Sequence, residues 1–214
     1  MIKACIFDLD GVIIDTAKYH FLAWKRLAEE LGIPFTPEHN ERLKGVSRMR
    51  SLDILLELGG RKMDDQEKEA LAARKNKWFV EYINQVKPED TYPGVRELVR
   101  KMRQKGLKTG LASSSKNAGT VIRRIEMEKE FDTMVDGTMI KHTKPDPEIF
   151  LLAASRLKTP PSECVVFEDA EAGVEAAVNA GMRAVGIGSA SQLGKANLVI
   201  PGTGDFNLEL LETL

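Results

Sequence analysis

The chain has little cysteine, with Cys5 and Cys164 the only two in 214 residues. Their spacing suits neither a metal site nor a disulfide framework. Both fall in short apolar runs that read as buried strands, so we expect reduced core residues of a cytoplasmic protein. Excess charge is also lacking: 31 Lys and Arg stand against 32 Asp and Glu, a formal net charge of −1. That leaves no basic face for nucleic acid. No apolar run reaches the roughly 18 residues needed to span a bilayer, so no membrane partner is expected. The apolar N-terminal stretch is interrupted by Asp8 and Asp10, which argues against a signal peptide. Internal repeats and low-complexity segments are missing too. With 43% hydrophobic residues, the composition is that of a globular domain. The length suits one large domain or a domain carrying a smaller insertion, and a monomer is expected.

What is present is concentrated at a few strand ends. Lys3-Ala4-Cys5-Ile6-Phe7-Asp8-Leu9-Asp10-Gly11 is a short apolar strand closed by two carboxylates and a glycine. In a parallel α/β fold, ligands bind at the carboxyl ends of the strands. Two acids there are costly unless they serve a cation, a proton transfer or a nucleophilic attack. Leu9 sends Asp8 and Asp10 to the same side of an extended segment, and Gly11 lets the chain turn away. A plain Asp-Gly turn would account for Asp10 but not for Asp8.

Four later segments read as buried parallel strands: 107–112, 164–167, 183–187 and 197–200. Helical patterns at 95–105, 116–126, 147–157 and 171–180 alternate with them, as in a doubly wound sheet. Residues 15–89 break the alternation. They hold no convincing strand and read as helices over 16–31, 38–44, 48–58 and 64–85. The expected architecture is therefore α/β: a Rossmann-like, doubly wound parallel sheet core (1–14 and 90–214) with an inserted all-helical cap (15–89). Such a cap over the acid pair would exclude water.

Three further elements fit the acid pair. Leu111-Ala112-Ser113-Ser114-Ser115 ends a strand in hydroxyls and amides suited to phosphate, although a Ser N-cap is an equal reading. Lys144-Pro145 precedes a helix. Lys144 could neutralise a phosphate oxygen, or could be a solvated lysine in a turn. Val165-Val166-Phe167-Glu168-Asp169 ends another strand in two acids. Carboxylates from two strand ends suit Mg²⁺, whereas Asp169 alone could simply cap a helix.

Taken together, Asp8-Leu9-Asp10, Ser113, Lys144 and Glu168-Asp169 resemble the four motifs of the haloacid dehalogenase superfamily, over the whole chain. The resemblance implies Asp8 as the nucleophile that becomes an aspartyl phosphate and Asp10 as general acid and base. It implies Mg²⁺ held by Asp8, the Asp10 backbone carbonyl and Asp169, with Glu168 assisting. Ser113 and Lys144 would grip the transferring phosphate, with the Ser114 backbone N–H contributing.

The helical segment narrows the likeness. Thr16, His20 and Trp24 share one helix face at i, i+4, i+8. Lys44-Gly45-Val46-Ser47-Arg48 is a loop entering a helix, with an arginine at an end its dipole disfavours. Lys75 follows on the long helix, and Ser115-Lys116-Asn117 follows the core hydroxyl turn. These residues are similar to those of the β-phosphoglucomutase family. The similarity implies that β-glucose 1-phosphate and glucose 6-phosphate are interconverted through a bisphosphate. Arg48, Ser115, Lys116 and Asn117 would take the non-transferring phosphate, and Thr16 and His20 would orient Asp10. Trp24, Lys75 and Gly45, Val46 and Ser47 would shape the sugar pocket, with Trp24 as plain core the competing reading. The main rival is a sugar-phosphate phosphatase of the same superfamily. A phosphorylated receiver domain would need neither the helical insertion nor Asp10, and a non-catalytic Mg²⁺-binding module would not need every motif acid.

Overall fold

The computed structural model describes residues 1–43 and 46–214; Lys44 and Gly45, the latter expected to line a sugar pocket, lie outside the described residues. The chain forms two compact units, one of Met1–Asp15 with Lys87–Leu214 and one of Thr16–Val86.

The first unit is built on a six-stranded sheet of β1 (Ala4–Phe7), β2 (Lys108–Ala112), β3 (Thr133–Val135), β4 (Cys164–Glu168), β5 (Arg183–Ile187) and β6 (Leu198–Ile200). Its order is β3-β2-β1-β4-β5-β6, and every pair is parallel. The short Val/Ile/Ala/Phe runs form strands because β-branched and aromatic side chains pack well on a pleated surface covered on both faces. The second unit holds α1 (Ala17–Glu30), α2 (Pro37–Glu41), α3 (Arg48–Leu58) and α4 (Asp65–Ile83). The core unit adds α5 (Val95–Gln104), α6 (Ala118–Arg124), α7 (Glu148–Arg156) and α8 (Glu171–Asn179).

The chain builds outward from β1 through β2 to β3, then returns to β4 on the other side of β1. That reversal makes a crevice at the carboxyl ends of β1 and β4, where ligands bind in such sheets. Phe7 is level with Leu111 on one neighbour and with Phe167 on the other. One residue further on, Asp8, Ala112 and Glu168 share that level. Register alone thus brings the first acid, the serine turn and the second acid pair to one edge.

The core beneath them is aromatic. Phe7 and Phe167 stack with ring centroids 4.6 Å apart, and Phe206 meets Phe167 edge-on at 4.9 Å. Both strand residues immediately precede a site acid, so their packing sets where the acids stand.

Several expectations are corrected. β3 has no counterpart in the sequence reading; only Val135 of its three residues is buried, too little for a periodic signal. α6 starts at Ala118 rather than at 116, because Ser115-Lys116-Asn117 is spent in a turn. α2 ends at Glu41 rather than at 44; it is opened by Thr36 with a capping box to His39. α4 is shorter than 64–85, since Asp64 is its N-cap and Asn84 its C-cap. α1 begins after Thr16, which occupies the N-cap position. Among the described residues no helix is long and apolar enough to cross a membrane.

Replacing Phe167, fully buried between Phe7 and Phe206, by Ala should cost about 3–5 kcal/mol through the cavity left behind. Urea unfolding of the purified variant checks this, and a loss under about 1 kcal/mol would show that the stack does not support the strand ends.

Candidate active site

β1 delivers Asp8 and β4 delivers Glu168 and Asp169 to the same edge. Asp8 is 5% exposed, and both its carboxylate oxygens have donors. Oδ1 accepts from the Lys144 ammonium at 2.6 Å, and Oδ2 accepts from the Asp10 backbone N–H at 3.0 Å. The same ammonium donates to Glu168 Oε1. Glu168 Oε2 accepts from the Ala170 N–H at 2.9 Å. One lysine thus bridges two buried carboxylates from two neighbouring strands.

Gly11 shows how closely the third acid approaches. Its φ is +79°, and a Cβ there would lie 2.0 Å from Asp169 Oδ2. The Asp169 carboxylate therefore rests against the backbone of the turn that follows Asp10, which only glycine leaves open. The N-cap position of α8 is held by Ala170, not by Asp169.

The charges do not balance. Burial, first, and then the neighbouring charges of Glu168, Asp10 and Asp169 push the Asp8 carboxyl well above the ordinary carboxylate range, against the pull of Lys144. Burial would lower the Lys144 ammonium, but Asp8 and Glu168 outweigh it and raise it further. We read this as a lysine that stays charged among carboxylates it cannot neutralise alone. A hard divalent cation held by oxygen donors is what such a set accommodates, and Asp8, Glu168, Asp169 and the Asp10 carbonyl are all of that kind.

Lys144 is 4% exposed, so the solvated-turn reading fails. Its loop is braced by Glu148, the first residue of α7. That carboxylate accepts from the backbone N–H groups of Lys141, at 3.1 Å, and His142, at 2.7 Å. Asp146 Oδ1 takes the Glu148 N–H at 2.9 Å. The Lys144–Pro145 peptide is cis, and the Lys144 ammonium lies 5.0 Å from the Phe150 ring centroid.

At the end of β2, Ser113 is fully buried and its Oγ accepts from the Ser115 N–H at 3.1 Å. The hydroxyl proton remains available to donate, since accepting uses only a lone pair. Ser115 Oγ accepts from the Asn117 N–H at 3.2 Å. Ser114 is half-buried with a buried hydroxyl that has no partner among the described residues, while Lys116 is exposed.

In the helical unit, His20 Nδ1 lies 2.9 Å from the Lys75 ammonium. An ammonium can only donate, so Nδ1 accepts and the proton sits on Nε2. Burial, then the charges of Lys75 and Arg48, hold His20 well below the ordinary imidazole range, hence neutral. Lys75 is 2% exposed and lies 4.6 Å from the Trp24 ring and 4.8 Å from that of Phe79. Trp24 is buried beneath this ammonium and is a core residue with a cation on its face. Thr16 is buried, and its Oγ1 has no hydrogen-bond partner among the described residues. Ser47 is the N-cap of α3, its Oγ accepting from the Arg50 N–H at 3.2 Å. Arg48 opens that helix and, like Val46, is half-buried.

One residue near the acids escaped sequence reasoning. Tyr92 is half-buried, and burial, then Asp15, Asp169 and Asp10, push its phenol up to about 12. It is a neutral hydroxyl among acids, and its only local signal is that it opens Tyr92-Pro93-Gly94.

The model of one protein family, described as haloacid dehalogenase-like hydrolase, matches residues 2–181. The chain is 48% identical over 211 residues to a β-phosphoglucomutase of Bacillus subtilis, covering 98% of this chain and 93% of the relative. It is 40% identical over 200 residues to a phosphorylated carbohydrates phosphatase of Thermotoga maritima, covering 92% and 90%. A crystal structure of a β-phosphoglucomutase from Clostridium difficile superposes with a TM-score of 0.96 at 42% identity, covering 100% of this chain and 96% of that one.

The charge count makes a stability prediction for the metal-free protein. Lys144→Met removes the one counter-ion that, among the described residues, pairs with the buried Asp8 and Glu168 carboxylates, and should cost about 3–5 kcal/mol at pH 8. Without Lys144 the Asp8 carboxyl loses the charge that pulls it down and rises further above its unfolded value near 4, so the folded state binds more protons. The deficit against wild type should therefore shrink as pH falls from about 8 toward 5. Urea unfolding across that range checks it; a deficit that grew on acidification would contradict the assignment of charge.

Proposed function

This chain belongs to the haloacid dehalogenase-like hydrolase family, and we propose that within it the protein is a β-phosphoglucomutase. It interconverts β-glucose 1-phosphate and glucose 6-phosphate through an aspartyl-phosphate enzyme and a bisphosphate intermediate. The observation that carries the chemistry is Asp8: a buried carboxylate at the central strand end, oriented through both oxygens by Lys144 and the Asp10 N–H. The choice of sugar phosphate is supported by the likeness to the Bacillus relative.

In this reading phospho-Asp8 meets bound β-glucose 1-phosphate. Ionised Asp10 takes the proton of the free sugar hydroxyl, whose oxygen bonds to phosphorus as the bond from phosphorus to Asp8 breaks, and the bisphosphate results. In the second half Asp8 attacks the other phosphorus of the reoriented bisphosphate, and the bond from that phosphorus to the sugar oxygen breaks. Asp10, now protonated, gives its proton to that leaving oxygen, which releases glucose 6-phosphate and restores phospho-Asp8. Lys144 and Ser113 hold oxygens of the transferring phosphate. Asp8, Glu168, Asp169 and the Asp10 carbonyl would hold Mg²⁺. When bound, Mg²⁺ supplies the positive charge that lets an anionic phosphate meet a site already rich in carboxylates. Arg48, Ser115, Lys116 and Asn117 are assigned to the phosphate that is not being transferred, and the Ser114 N–H to the one that is. His20 and Thr16 are assigned to the orientation of Asp10, and Lys75, Val46 and Ser47 to the sugar; Trp24, buried beneath Lys75, belongs to the core. Substrate-driven closure of the helical unit would favour a sugar hydroxyl over water as acceptor.

The second reading, a sugar-phosphate phosphatase, uses the same nucleophile with water as acceptor. The Thermotoga relative favours it.

Asp8→Asn should abolish turnover, because an amide is a poor nucleophile. Incubation with β-glucose 1,6-bisphosphate should give a hydroxylamine-sensitive phosphoenzyme in wild type only; labelling that persists in Asp8→Asn would remove the assignment.

Arg48→Ala should separate the two readings. Losing a charge-assisted phosphate contact costs about 1.5–3 kcal/mol, roughly one to two decades in mutase rate. Hydrolysis of a small phosphate ester, which has no second phosphate, should hardly change. Both variants are assayed with β-glucose 1-phosphate plus a trace of bisphosphate, and with the ester. An equal fall in both activities would make Arg48 structural, and a wild type that released phosphate without forming glucose 6-phosphate would establish the phosphatase.

A further inference from the structure

Thr203 lies 191 residues from Val12 in the chain, yet its buried hydroxyl donates to the Val12 carbonyl at 2.7 Å. Val12 belongs to the turn that follows the acid pair. In that turn the Gly11 N–H donates to Ile14 at 3.0 Å, and the Ile13 and Ile14 N–H groups donate to the Leu9 carbonyl at 2.9 and 3.3 Å. Asp10 and Ile14 form a parallel bridge, and Ile14 forms an antiparallel one with Thr91. The Tyr92 N–H then donates to the Ile13 carbonyl at 2.9 Å. Asp10 therefore stands in a turn whose own hydrogen bonds leave the Val12 carbonyl for an outside donor, and Thr203 supplies it.

The donor is itself anchored. Thr203–Asp205 is a single turn of 3₁₀ helix. Its next residue, Phe206, is buried edge-on against Phe167, the residue before Glu168. At Gly204 a Cβ would lie 2.1 Å from the Pro93 carbonyl oxygen and 3.1 Å from the Gly94 Cα, so only glycine lets the two backbones touch. The turn is thus fixed to β4 on one side and to the Tyr92-Pro93-Gly94 loop on the other.

We propose that Thr203 is a positioning residue for Asp10: its hydroxyl fixes the Leu9–Ile14 turn and thereby the carboxyl that moves the proton. This rests on the reading of Asp10 as general acid and base. Displacement of a reacting group by an ångström can cost up to about a hundredfold in rate.

The test is a double-mutant cycle on the full chain with Mg²⁺, reading kcat and KM for both the mutase and the small-ester reactions. Thr203→Val, which keeps the shape and removes the donor, should lower kcat by about tenfold or more with KM nearly unchanged. Thr203→Ser should restore kcat to within about twofold of wild type, because the hydroxyl returns. In an Asp10→Asn background, Thr203→Val should cost nothing further, since two residues acting through one step are not additive. Hydrogen exchange of the peptide covering Leu9–Ile14 should be faster in Thr203→Val. Should Thr203→Val not fold, Thr203→Cys, a weak donor, takes its place in the cycle. Additive losses, no rescue by serine, or faster exchange with unchanged kcat would overturn the proposal. An Asp10→Asn enzyme at full rate would overturn it too, by removing the acid-base reading beneath it, and that result is distinguishable because Asp10→Asn is measured alone.

Discussion

A single ammonium placed between two buried carboxylates is the constraint on which the rest of the site depends. Lys144 touches Asp8 from β1 and Glu168 from β4, so it ties the two central strands together at their carboxyl ends. Either acid left alone at that depth would cost several kcal/mol. One positive charge faces the two carboxylates of Asp8 and Glu168, and burial above all, with the neighbouring acids adding to it, holds the Asp8 carboxyl well above its ordinary range against the pull of Lys144. The imbalance gives the site its use. A divalent cation relieves it, and the relieved site can accept the further negative charge of a phosphate.

The sheet order explains why the charges meet there. β1 is central, and its two parallel neighbours are level with it to within a residue. Phe7 and Phe167 stack just below the acids, so the rigidity of the core is carried into the positions of Asp8 and Glu168. The helical unit holds its own buried cation by different means. Lys75 has aromatic faces beneath it and the neutral His20 as acceptor.

Much of this was legible in the sequence because the signals are local. Apolar runs closed by acids, at Asp8 and at Glu168-Asp169, mark strand ends by composition alone, and the alternation of runs and helical patterns gives the doubly wound core. What was not legible depends on contacts between distant segments. β3 is three residues with one buried side chain, and its pairing with β2 is the only thing that makes it a strand. Lys144 alone reads as a solvated turn residue; its burial follows from the bracing of its loop by Glu148 and from two acids on other elements. Asp169 looks like a helix cap until the backbone at Gly11 is seen against its carboxylate. Thr203 carries no motif, and only the folded chain brings it to Val12.

The central claim is a charge deficit at Asp8 that a divalent cation fills. It is tested most directly by the protons released when Mg²⁺ binds, from calorimetric titrations at one pH in buffers of different ionisation enthalpy. Asp8 is raised in the metal-free protein, so it keeps a proton at pH values where an ordinary carboxylate has lost it, and must give it up to serve as a ligand. Proton release should therefore grow as pH is lowered from about 8 toward 5, where carboxylates of ordinary pKa are still ionised. It should largely vanish in Asp8→Asn. Mg²⁺ binding with no proton release at any pH in that range, or with release unchanged in Asp8→Asn, would contradict the account.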